Sequence, residues 1–92
     1  MTRWGAAHPG LIAGVVLDSR GAPVEDARVY FADAPTAIPD VAALTGPDGG
    51  FSLAAPVDGT YTVECGADGF ATARATVGSQ GDACLELTLR PR

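Results

Sequence analysis

The chain has 92 residues and a mass of 9.3 kDa, with six basic against eleven acidic side chains and a formal charge of −5. That length supports one domain with a single core, and an apolar fraction of 47% is too high for a disordered chain. A pI near 4.4 excludes a binder that tracks phosphates, and the absence of any Lys or Asn excludes Schiff-base chemistry, Lys–Asn crosslinks and N-glycosylation.

Residues 1–10 read as an N-terminal arm and 11–92 as the folded domain. The arm carries Trp4, as a lid on the core or as a binding anchor, and His8, the only histidine. The apolar stretch Leu11–Leu17 runs directly into Asp18-Ser19-Arg20, where a signal peptide would need a small-residue cleavage site. No stretch approaches the ~20 apolar residues of a membrane span. The expectation is a cytoplasmic protein, or one exported without a cleavable signal.

Short β-branched and aromatic runs predict strands at 11–18, 26–32, 41–45, 50–54, 60–66, 70–77 and 83–89. Asp18-Ser19-Arg20-Gly21, Gly46-Pro47-Asp48-Gly49-Gly50, Val57-Asp58-Gly59, Ala67-Asp68-Gly69 and Gly78-Ser79-Gln80-Gly81 separate them. These supply the positive φ and preset φ that tight turns need, with Asp18, Asp48, Gly49, Gly59 and Gly69 as structural turn residues. No dozen-residue window holds helical periodicity free of Gly or Pro, so the fold class is all-β, a seven-stranded sandwich or small barrel.

Alternation then assigns faces. Ala27, Val29, Phe31, Phe51, Leu53, Tyr61, Val63, Cys65, Leu85, Leu87 and Leu89 point inward, with Ala71, Ala73, Ala75 and Val77 continuing that face. Arg28, Tyr30, Thr60, Thr62, Glu64, Thr72, Arg74, Thr76, Glu86 and Thr88 point outward. The first strand is apolar on both faces, so it is central or covered by the arm. Cys65 falls on the inward face and Cys84 on the outward one, which sets them apart for a disulfide. The connection Asp33–Asp40 holds Pro35, Ile38 and Pro39. It is a passive crossover between two sheets capped by Ile38, or a loop onto which function is grafted.

The segment Gly14-Val15-Val16-Leu17-Asp18-Ser19-Arg20-Gly21-Ala22-Pro23-Val24-Glu25-Asp26-Ala27-Arg28-Val29 is similar to the opening of carboxypeptidase regulatory-like domains. Leu44-Thr45-Gly46-Pro47-Asp48-Gly49-Gly50-Phe51-Ser52-Leu53 resembles that family's threonine–turn–Asp-Gly–x–Phe segment. Asp58-Gly59-Thr60-Tyr61-Thr62-Val63 and Ala67-Asp68-Gly69-Phe70 resemble its Gly-x-Tyr and Gly-aromatic pieces, and Leu85-Glu86-Leu87-Thr88-Leu89 its closing strand. The resemblance runs from about residue 12 to 89. It implies a prealbumin-like, seven-stranded Greek-key β-sandwich, also called transthyretin-like, used as an accessory module. In that frame Asp48-Gly49 closes a hairpin, Phe51 plugs the core and Tyr61 anchors the opposite sheet.

Chemistry is mostly absent. A Ser–His–Asp triad needs a His beside a nucleophile, and His8 sits in the arm while Ser19, Ser52 and Ser79 lie in turns or on a strand face. The same shortage excludes Cys–His catalysis and the His-dependent hydrolases and dioxygenases that share a transthyretin-like fold. Strands that alternate in direction would gather Asp18, Asp48 and Asp68 at one end and Asp33, Asp58 and Asp82 at the other. No Asp-x-Asp-x-Asp run supports a Ca²⁺ site there, and each Asp has a turn role of its own. No catalytic residue, cofactor or metal is expected. The expected role is a non-enzymatic structural or protein-interaction module, with Trp4, Tyr30, Pro35 and Ile38 as candidate contacts. The alternative is a carbohydrate- or small-ligand-binding module on the outward Thr/Arg face. A protein partner is expected, and neither nucleic acid nor membrane is.

Overall fold

The computed structural model describes residues 10–37, 42–79 and 82–92. Trp4, His8, Pro9, Ile38 and Pro39 therefore lie outside the described residues. The strands are β1 (Gly10–Asp18), β2 (Arg28–Asp33), β3 (Ala43–Leu44), β4 (Gly50–Ala55), β5 (Gly59–Gly66), β6 (Ala73–Ser79) and β7 (Ala83–Leu89). They form a three-stranded sheet, β4-β1-β7, and a four-stranded sheet, β3-β2-β5-β6, packed as a sandwich. The ladders β1–β4, β2–β3, β2–β5 and β5–β6 are antiparallel. β1 and β7 pair in parallel, from Ile12 opposite Ala83 to Asp18 opposite Leu89. Successive strands reverse direction, so seven of them leave the first and last pointing the same way. The seven-stranded all-β sandwich read from the sequence is the fold observed.

The alternation sorts side chains as their chemistry demands. Ile12 and Val16 of β1, Val29 of β2, Phe51, Leu53 and Ala55 of β4, Tyr61, Val63 and Cys65 of β5, and Leu87 and Leu89 of β7 are buried. β1 is the middle strand of its sheet, which explains why it is apolar throughout. Its inward position Gly14 is a close approach, because a Cβ there would stand 1.9 Å from the Leu85 carbonyl oxygen and 2.9 Å from Phe51 Cζ. Only glycine lets β7 and the Phe51 ring close over that point.

Two polar groups are tied into the interior. Thr45 is 2% exposed. Its hydroxyl donates to the Val24 carbonyl at 2.6 Å and accepts from the Ala27 N–H at 2.9 Å. Its own backbone exchanges two further bonds with Asp26 and Ala27. Asp26 between them takes φ 61°, a conformation that Asp tolerates better than most residues. The Tyr61 ring lies 4.8 Å from Phe31 and packs against Ile12 and Ala55 of the other sheet. Its hydroxyl donates to the Val57 carbonyl at 2.7 Å and accepts from the Val57 N–H at 3.3 Å, so the strand is pinned to the turn before it.

Three expectations need correction. Ala71 is exposed rather than inward, because residues 70–72 leave the sheet to meet the C-terminal segment. The Ala71 N–H donates to the Arg90 carbonyl at 2.8 Å, the Arg92 N–H donates to the Gly69 carbonyl at 3.1 Å, and Phe70 bridges Pro91. The Gly46–Gly49 turn is closed by Gly49 N–H to Gly46 O at 2.9 Å, but it joins no hairpin. β3 and β4 belong to different sheets, so this turn is the crossing. The connection after Asp33 instead joins β2 to β3, neighbours within one sheet.

Replacing Gly14 with Ala is expected to cost about 3 kcal/mol or more, because backbone must move to admit the methyl group. Urea unfolding of the two proteins measures the difference, and an unchanged midpoint would contradict the close approach.

Candidate interaction surface

β2, β5 and β6 set Tyr30, Glu64 and Arg74 directly across from one another on the outer face of the four-stranded sheet. The Tyr30 hydroxyl donates to Glu64 Oε1 at 2.9 Å, and Arg74 Nε donates to Glu64 Oε2 at 2.8 Å, with Nη2 on the same oxygen. Arg74, and then the Tyr30 hydroxyl, hold the Glu64 carboxyl below the ordinary carboxylate range. The same bond to Glu64, together with partial burial, raises the Tyr30 phenol. One turn of the ladder away Thr62 stands opposite Thr76, and at the other end Arg28 stands opposite Leu44, which is 63% exposed. The face thus joins a braced polar row to an exposed apolar side chain and a cation. Tyr30 belongs to this surface and is half-buried. The bracing of Tyr30 by Glu64 is the part that sequence reading missed, although alternation already set both on one face.

Pro35 stands apart from that face. A Cβ at Gly59, whose φ is 151°, would meet Pro35 Cγ at 2.7 Å, so the proline ring rests on the Gly59 backbone. Beside it Ala34 packs against the Ile12, Ala55 and Tyr61 cluster. Of the four candidate contacts, then, Tyr30 and Pro35 are placed on different parts of the domain, and Trp4 and Ile38 are outside the described residues.

Three of the turn carboxylates, Asp18, Asp33 and Asp48, are bonded within their own turns, Asp82 reaches across to β1, and Asp58 Oδ1 is buried without a partner among the described residues. Asp18 Oδ1 accepts the N–H groups of Arg20 and Ala22 at 2.9 and 3.0 Å, and these bonds lower its carboxyl. Asp48 Oδ1 accepts from Gly50 at 2.9 Å, Asp33 Oδ1 from Ala34 at 3.0 Å, and Asp82 Oδ1 from Leu11 at 2.9 Å. Gly49 (φ 78°) and Gly69 (φ 84°) take positive φ in their turns. Strand direction does collect Asp18, Asp48 and Asp68 at one end and Asp33, Asp58 and Asp82 at the other. Among the described residues, no three His, Cys, Asp or Glu side chains converge as a metal site.

Both cysteines are free, with Cys65 buried and Cys84 exposed. Burial pushes the Cys65 thiol up to about 11, against a smaller lowering by Arg28. Among the described residues no helix is long and apolar enough to cross a membrane.

The protein is a two-sheet Greek-key β-sandwich with a bonded polar row on the outer face of its four-stranded sheet. The chain belongs to the carboxypeptidase regulatory-like domain family, whose model matches residues 11–90. No curated relative matches the chain. Among solved structures it is similar to a DUF3823 family protein from Parabacteroides merdae, with TM-score 0.71 and 20% identity over 92% of this chain and 47% of that one. It is also similar to a chain of the type II cohesin–X-dockerin complex from Acetivibrio cellulolyticus, with TM-score 0.64 and 20% identity over 87% of this chain and 56% of that one. A third likeness is to 3-chlorocatechol 1,2-dioxygenase from Rhodococcus opacus, with TM-score 0.67 and 14% identity over 100% of this chain and 64% of that one. The chain spans less than two thirds of each of these proteins, and at such identities the likeness is one of fold.

Two outcomes follow for the titrating groups. In the native protein one thiol per chain, Cys84, should react promptly with a disulfide reagent, and Cys65 only on unfolding. Two fast equivalents would contradict the burial. Because folding lowers the Glu64 pKa, its contribution is present above the ordinary carboxylate range and is lost as pH falls through the lowered value. Glu64→Gln should therefore flatten the acid limb of Tm against pH, from the ordinary carboxylate range downward. An identical acid limb in the variant would remove Glu64 from that role.

Proposed function

We propose that this domain is a non-enzymatic accessory module that docks a protein partner on the outer face of the four-stranded sheet. The observation that carries this reading is the Tyr30–Glu64–Arg74 row beside exposed Leu44 and Arg28. Tyr30 and Arg28 are of the residue types that dominate binding energy at protein interfaces, and the uncovered Leu44 adds apolar area beside them. Membership of a regulatory-like family supports an accessory role. So does likeness to a chain from the cohesin–X-dockerin complex, an assembly of proteins. The described carboxylates that make hydrogen bonds hold turns or the outer row, which leaves them to structure rather than to acid–base work. The dioxygenase likeness carries no activity across, since the only His of this chain is His8 and its tyrosines are two, Tyr30 and Tyr61.

A carbohydrate-binding role on the same face is the second reading. It is favoured by Thr62 opposite Thr76 beside Tyr30, which offers hydroxyl donors and acceptors next to an aromatic ring.

Cross-linking with mass spectrometry in extracts of the source cell separates the two. A protein cross-linked to the wild-type domain should fall by about tenfold with Arg28→Glu combined with Leu44→Ser, while Tm stays within about 2 °C. A sugar that raises Tm, and no longer does so in Tyr30→Ala, would move the assignment to carbohydrate.

A further inference from the structure

The opposite outer face differs in chemistry. On the three-stranded sheet, Leu11, Ala13, Val15 and Leu17 of β1 alternate with the buried Ile12 and Val16, so they point away from the core. Beside them run the exposed Cys84, Glu86 and Thr88 of β7. A shallow, open depression lies over this ladder, lined by Ala13, Gly14, Val15, Cys84, Leu85 and Glu86. Leu11, at 50% exposure, extends the apolar surface toward the start of β1.

β7 hydrogen-bonds β1 along one side, and among the described residues no strand pairs with its other side. Its seven residues contain no Pro or Gly, and no bulge interrupts its ladder with β1. An unblocked edge of that kind is a ready template for another strand. Charge says which strand would fit. Glu86 is the one charged side chain that the three strands present on the middle of this face, while exposed Asp82 and Arg90 flank β7 at its two ends. The ion pairs among the described residues are Arg20–Asp18 and Arg74–Glu64, so Glu86 has none among them.

We propose that the free edge of β7 accepts an extended segment of a partner protein that carries a Lys or Arg beside Glu86 and an apolar side chain over the Ala13–Val15 depression. The backbone would extend the β4-β1-β7 sheet by one strand. Main-chain bonds would supply affinity, and the cation and the apolar residue would supply selectivity. A second copy of this chain fits less well. Antiparallel pairing of two β7 edges about Glu86 would set two carboxylates opposite each other at the centre of the new ladder. This surface is separate from the Tyr30 row, so the two assignments stand or fall independently.

The test uses the full chain and a capped heptapeptide of alternating Val and Thr with Arg at its centre, followed by amide hydrogen exchange in NMR. The peptide should slow exchange at alternate β7 amides. Glu86→Gln, an exposed and conservative change, should weaken its binding about fivefold. A peptide with Glu at the centre should bind the wild type at least as weakly. No protection of β7 at millimolar peptide, protection on β4 or β6 instead, or equal affinity for the Glu86→Gln variant would overturn the proposal. Protection of β7 that rises with protein concentration alone would overturn it in favour of a second copy. Protection without peptide that is lost on deleting residues 1–9 would overturn it in favour of the chain's own N-terminal segment.

Discussion

The parallel ladder between the first and last strands is the constraint on which the remainder depends. It joins residues 71 positions apart, and the same separation is clasped at its start by the Leu11 N–H on Asp82 Oδ1. Without it β1 would keep only β4, and the three-stranded sheet would shrink to a single ribbon, which is marginal by itself in water. The ladder also decides how deep the core is. Leu87 and Leu89 reach the interior only because β7 lies against β1, and β7 lies against β1 only because Gly14 presents no Cβ to the Leu85 carbonyl. Such a pairing is entropically late. Nearly the whole chain must be ordered or looped before it forms, so the local β5–β6 and β2–β3 pairings are cheaper first steps.

A core closed in this manner has to dispose of the polar groups where the chain crosses between sheets. The crossings at Val24–Ala27 and Gly46–Gly49 lie close together, and Thr45 serves both. Its hydroxyl completes the bonding of one carbonyl and one N–H that would otherwise be buried unpaired, each at a cost of about 1–3 kcal/mol. Tyr61 plays the corresponding part at the other end, where its ring fills the gap between the sheets and its hydroxyl satisfies the Val57 carbonyl. Both residues use one side chain for packing and for hydrogen bonding, which suits a domain too small to spare residues for a single task.

Strand positions and faces were legible because a period of two is local information. Val29 and Phe31, or Tyr61, Val63 and Cys65, declare their side of the sheet without reference to any partner, and the opposed fates of Cys65 and Cys84 follow directly. Pairing is not local. Nothing in Ala83–Leu89 names β1 as its neighbour, and the motif that contains Thr45 does not say that its hydroxyl bonds Val24 and Ala27. Ala71 was misread for the same reason. It continues the alternation of Ala73 and Ala75, but the bond from its N–H to Arg90 is made with a segment 19 residues away, and that tertiary contact delays the start of β6. On the outer face, Tyr30, Glu64 and Arg74 were each visible as outward residues. Their union depended on the β2–β5–β6 register, which a single sequence does not display.

The distribution of charge follows from these pairings. Asp18, Asp33 and Asp48 hold their own turns through short-range bonds, and Asp82 holds the start of β1, so the excess of acid collects at the two ends of the sandwich. The strands between are left nearly neutral, and their outer faces diverge according to what each strand had to bury. β1, as the middle of three, keeps apolar residues on both sides and gives its sheet an apolar exterior with a single carboxylate. β5, beside β2 and β6, alternates cleanly and gives its sheet an exterior of threonines around one bonded row. The contrast between the two exteriors is therefore the physical basis on which one small sandwich can present two unlike faces.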